Sequence, residues 1–75
     1  MTVTKIKEIV NKKIAGLEIK RIFEYDPSHY VIITDGNVDN VLMFETNTEK
    51  LTGLSVSFLI KNDFTKLKKV YQNEK

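Results

Sequence analysis

The chain has 75 residues, a net charge of +2, 41% hydrophobic and 29% charged residues, and no cysteine. A chain of this length holds one small domain with a modest core. The absence of cysteine excludes disulfides, thiolate catalysis and cysteine-bound zinc, and frequent, patterned apolar residues exclude a disordered chain.

The first segment reads as an amphipathic helix over residues 4–15. Ile6, Ile9, Val10, Ile14 and Leu17 recur at three- and four-residue steps, which is the stripe of one helix face. Thr2 or Thr4 caps its start, and Gly16 closes it in a left-handed conformation. Lysines interrupt the apolar residues, so the segment lacks a signal-peptide core. No apolar run reaches the roughly 18 residues a membrane helix needs. The expected location is the cytoplasm.

Residues 17–25 put Leu17, Ile19, Phe23 and Tyr25 on one parity and predict a first strand. Asp26, Pro27 and Ser28 form a turn, because proline presets the turn angle and aspartate accepts local backbone bonds. Residues 29–35 and 40–46 are rich in β-branched and aromatic residues and predict strands two and three. Residues 47–53 read as a polar loop ending in Gly53. In residues 54–60, Leu54, Val56, Phe58 and Ile60 alternate with Ser55 and Ser57 and predict strand four. Asn62 or Asp63 then caps a last helix that buries Phe64, Leu67 and Val70 or Tyr71, with a frayed tail at 72–75.

The order α-β-β-β-β-α with short connections predicts an α+β fold in one domain over residues 1–75. It is a two-layer sandwich, a four-stranded antiparallel meander with an N-terminal and a C-terminal helix. The middle strands are apolar on both parities. If Thr34 lies opposite Val41, then Val31, Ile33, Leu42 and Phe44 share a face, and Tyr30, Ile32, Thr34, Val41, Met43 and Glu45 share the other. A one-residue slip exchanges the third-strand sets. An antiparallel sheet with one wet face carries polar residues there, so a second apolar face is either covered by the fold or is a contact surface. The candidate protein interface is Tyr30, Ile32, Val41 and Met43, rimmed by Asp35 and Asp39. A second copy of the chain and a foreign protein both fit it.

Asp35, Asn37 and Asp39 stand two apart, as ligands do at the start of a calcium loop. Such a loop also needs glycine at its sixth position and glutamate at its twelfth. Here Gly36 is second and Thr46 is twelfth, with Glu45 one residue early. Asp-Gly between apolar runs signals a hairpin instead. No metal and no cofactor are expected.

His29 is the single histidine, and its neighbour Ser28 points to the opposite face, which makes a poor Ser–His pair. The glycines at 16, 36 and 53 all mark element boundaries, so there is no phosphate loop. Without a partner for His29, it reads as a surface residue, and the chain reads as no enzyme.

Lys5, Lys7, Lys12, Lys13, Lys20 and Arg21 crowd the N-terminal third, Lys66, Lys68 and Lys69 lie near the end, and the middle is acidic. If both helices cover one face, their solvent sides form a basic layer, with Lys12, Lys13, Lys68 and Lys69 as candidate nucleic-acid contacts. A single arginine argues against base readout. The expected function is therefore a non-catalytic protein-binding module. An inhibitor, an immunity or antitoxin protein and a phage anti-defence protein all fit that description. Nucleic-acid binding through the lysines is the alternative. Acidic turns at Asp26, Asp35, Asp39 and Glu49 suit a partner with a basic groove.

Overall fold

The computed structural model describes residues 1–35, 41–55, 57, 61 and 66–73. It begins with helix α1, Val3–Lys13. The Thr2 side chain accepts a hydrogen bond from the Lys5 backbone N–H at 3.2 Å, satisfying one donor of the open first turn. Ile6, Ile9 and Val10 are buried, as the stripe predicts, and Lys12 and Lys13 occupy the last turn, where the helix dipole favours cations. The chain then turns through Gly16 at φ +80, a conformation that glycine adopts without steric cost.

Five strands follow: β1 (Glu18–Asp26), β2 (His29–Asp35), β3 (Val41–Glu45), β4 (Lys50–Gly53) and β5 (Lys68–Gln72). They form one sheet in the order β4-β3-β2-β1-β5, with every neighbouring pair antiparallel. The fold is α+β, with one helix packed on a five-stranded sheet. Because β4 and β5 lie at opposite edges, the chain between Gly53 and Lys68 has to pass from one edge to the other.

The prediction of four strands and two helices is corrected in the second half of the chain. β4 lies inside the expected loop; its Leu51 packs against the core while Lys50, Thr52 and Gly53 stay exposed. Leu54 and Ser55 carry no strand, and Ser57 and Lys61 have helical backbone. Val56, Phe58 and Ile60 of the expected fourth strand, and Asn62, Asp63 and Phe64 of the expected helix start, lie outside the described residues. Residues 68–72 form a strand rather than the end of a helix. Without β5 the outer edge of β1 would expose a row of unpaired backbone groups; pairing with it also brings Val70 and Tyr71 against the core. The expected fraying from residue 72 does not start there: Gln72 is in β5, and the Asn73 N–H donates to the Lys20 carbonyl at 2.8 Å.

The register between β2 and β3 also differs from expectation. Ile33, not Thr34, lies opposite Val41, and Tyr30 lies opposite Phe44. This one-residue slip moves Leu42 and Phe44 under α1 beside Tyr30 and Ile32, and puts Val41 and Met43 on the far face beside Val31 and Ile33. The core is thus Ile6, Ile9 and Val10 of α1 on Ile19, Ile22, Tyr30, Ile32, Leu42 and Phe44 of the sheet. The slip places the bulky Phe44 at full burial under the helix. On the far face Val31 is 0% and Phe23 5% exposed, while Ile33, Val41 and Met43 are half-buried. Leu67 lines a hollow there with Arg21, Phe23 and Lys69, so the chain enters β5 from the far side.

Candidate functional site

The predicted interface does not survive as one surface. Tyr30 and Ile32, 9% and 0% exposed, belong to the core under α1. Val41 and Met43 lie half-buried on the opposite face. Asp35 is exposed at the end of β2, 3.6 Å from the Lys20 ammonium, and Asp39 lies outside the described residues. The predicted basic layer is corrected as well. Lys12 and Lys13 end α1, but Lys68 and Lys69 are successive residues of a strand and point to opposite faces.

The structure instead gathers polar groups at the two ends of the sheet. At one end, which we term the turn end, the β1–β2 and β3–β4 turns lie side by side. The Thr46 N–H donates to the Ser28 carbonyl at 2.9 Å and ties them together. Asp26 lies opposite His29, His29 opposite Glu45, and Glu45 opposite Lys50. This row brings the histidine two partners that its reading as an isolated surface residue lacked. With Asp26 ionised and accepting, Nδ1 of His29 carries the proton. It donates to Asp26 Oδ1 at 2.8 Å and lies 3.1 Å from Oδ2. Nε2 lies 3.9 Å from the Glu45 carboxylate.

The hydrogen bond from His29 is the main cause that holds the Asp26 carboxyl below its ordinary value of 3.8. Partial desolvation works against it, and the Ser28 backbone N–H, which donates to Asp26 at 2.8 Å, works with it. An aspartate on Nδ1 fixes the tautomer and the ring plane, the orienting half of a catalytic pair. The other ring nitrogen faces a carboxylate, so the arrangement holds the imidazole in place between two acids.

The turn end carries two further features. Glu49 has φ 57, in the left-handed region that disfavours side chains other than Asn, Asp and Gly. Tyr25, beside Asp26, is 40% exposed, one of two large hydrophobic residues exposed among those described. In the register Asp26 faces His29, Glu24 faces Lys68 and Glu45 faces Lys50.

Sequence reasoning found Asp26 and Glu49 as acidic turn residues. It missed Glu45 as the partner of His29, because only the β2–β3 register brings them together. The Asp26–His29 spacing across an Asp-Pro-Ser turn was the available signal for the first half of the pair.

No protein-family model matches the chain, and no curated protein and no solved structure matches it. Among the described residues no group of three or more histidines and carboxylates is placed to hold a metal ion, and no helix is long and apolar enough to cross a membrane.

Proposed function

We propose that the chain is a non-catalytic protein-binding module whose contact surface is the turn end of the sheet. The observation that carries this reading is the joining of two acidic turns, which hold Asp26 and Glu49, by the Thr46–Ser28 hydrogen bond. Tyr25 beside them supplies an aromatic anchor of the kind that dominates interface energetics. The left-handed Glu49 supports the same reading. A residue held in a costly conformation where glycine would be relaxed points to a use for its carboxylate. The partner that complements this end is a protein with a basic surface. A second copy of the chain is a poorer match, because like charges would then face each other across a two-fold axis.

The test is a pull-down with the immobilised chain from a lysate of the cells that make it, using two charge variants. Asp26→Asn combined with Glu49→Gln should lose the bound protein. Gln at Lys12, Lys13, Lys68 and Lys69 should retain it. The reverse pattern, with nuclease-sensitive and steeply salt-dependent binding, would replace this reading with nucleic-acid binding through the lysines.

A further inference from the structure

The opposite end of the sheet carries a cleft of about 310 Å³, bounded by α1, the turn at Gly16, the start of β1 and the end of β5. That volume is at the lower end of small-molecule sites, roughly 300–1,000 Å³. Its lining includes Lys7 and Asn11 from the helix, Glu18 from β1, and Tyr71 and Asn73 from the C-terminal strand and its exit.

The Lys7 ammonium is held in a fixed place. It donates to the Tyr71 hydroxyl at 3.2 Å and sits 4.3 Å from the centre of the Tyr71 ring. An ammonium has three donors, and the hydroxyl uses one. Glu18 is met by the Asn73 side-chain amide at 3.4 Å, a long hydrogen bond that leaves most of its acceptor capacity open. No ion pair among the described residues joins Lys7 to Glu18, although both line the same cavity. A cleft with one cation and one anion that do not neutralise each other is complementary to a ligand carrying both charges. Asn11 adds a donor and an acceptor. At Gly16 an added Cβ would meet nothing within 4 Å, so the floor of the cleft is open there.

We propose that this cleft binds a small zwitterion, its carboxylate on Lys7 and its ammonium group on Glu18, as a free amino acid or a short peptide presents them. A neighbouring hollow shares Glu18 and Asn73 and continues to Lys20, Arg21 and Gln72. A ligand longer than one residue therefore has further polar contacts to reach beyond Glu18.

The experiment is a titration of the isotope-labelled full chain, followed by amide chemical shifts. The probes are glycine, leucine and alanyl-alanine as zwitterions, with acetate and methylammonium as single-charge controls. The expected result is saturable shifts at Lys7, Asn11, Gly16, Glu18 and Asn73 with at least one zwitterion. Binding of acetate and of methylammonium should be at least about tenfold weaker, as should zwitterion binding to Lys7→Gln and to Glu18→Gln. Lys12→Gln, outside the cleft, should bind as the parent does. A preference for the dipeptide over the amino acids would assign the ligand to peptides, and the opposite preference to free amino acids. The proposal is overturned if no zwitterion gives saturable shifts at millimolar concentration. It is equally overturned if acetate binds as well, or if neither variant weakens the response while its remaining spectrum stays that of the folded parent.

Discussion

Among the described residues, each end of the sheet contains one residue in the left-handed region, and the two are handled differently. At the cleft end it is Gly16, with φ 80; at the turn end it is Glu49, with φ 57. The cleft end takes the relaxed solution, since a glycine needs no compensation there. The turn end keeps a side chain where the backbone disfavours one. The ends lie about 25 Å apart along β1, by strand rise alone. One is concave, with a cation and an anion in one cavity; the other is an edge of turns where one histidine stands between the carboxylates of Asp26 and Glu45. The two proposed surfaces lie at opposite ends of one small sheet, with the core between them.

The largest effect should come from that core. Phe44 is fully buried under α1, so Phe44→Ala should cost about 3–5 kcal/mol. Total stability for a chain this size is on the order of 4–11 kcal/mol. The amides of Thr46 and Asn73 report the two ends, because each makes a hydrogen bond there. Hydrogen exchange should accelerate at both together in the variant. Protection retained at Thr46 but lost at Asn73 would mean that the ends unfold separately, and the shared-core account would fail.

The left-handed residues give the next contrast, with opposite signs. Gly16→Ala should destabilise the chain by about 1–2 kcal/mol through backbone strain alone, since the added Cβ has room. Glu49→Gly should stabilise it by a few tenths to about 1 kcal/mol, the relief of strain being partly offset by a more flexible unfolded chain. Denaturant midpoints at unchanged slope measure both. A destabilised Glu49→Gly would remove the argument that this residue is kept for its carboxylate at a cost in stability. If it is stabilised and also loses the protein partner, stability and binding are separated at one position.

These sites were unequally legible in the sequence. The helix and strands β1 to β3 match the spans read from local pattern within a few residues, but Ile19 and Phe23 do not share a face: a bulge between Ile19 and Arg21 leaves Ile19 and Ile22 under α1 and turns Phe23 to the far side. β4 has one apolar residue, Leu51, in a polar run, so nothing local distinguishes it from a loop. Leu67, just before β5, and Val70 and Tyr71 within it have helical spacing, and what overrides it is the open edge of β1, a tertiary demand. The β2–β3 register turned on one residue, and with it the assignment of Val41 and Met43 to a face. The cleft was the least legible, since Lys7 and Tyr71 stand 64 residues apart and meet only through the added fifth strand. The turn end was half visible, as Asp26 and His29 are local and Glu45 is not.

The smallest effect concerns Asp26, and it distinguishes the ends by pH. The bond from His29, helped by the Ser28 N–H, holds its carboxyl below 3.8 in the folded chain. A depressed carboxyl contributes stability that is present above its unfolded value and is lost as pH falls through the folded one. The wild-type chain should therefore lose this contribution only below about pH 3.8. Asp26→Asn should lack it at neutral pH and show a flatter acid limb. Melting curves from pH 6 to pH 2 should show a gap between the two proteins that closes toward the acid limit. The group is solvent-screened, so the gap should be small. Its location is the sharper reading. Acid should loosen the Thr46 amide, which ties the two turns, before it affects Asn73 at the cleft. Equal loosening at both amides would show that the Asp26–His29 bond does not act on the turn end alone.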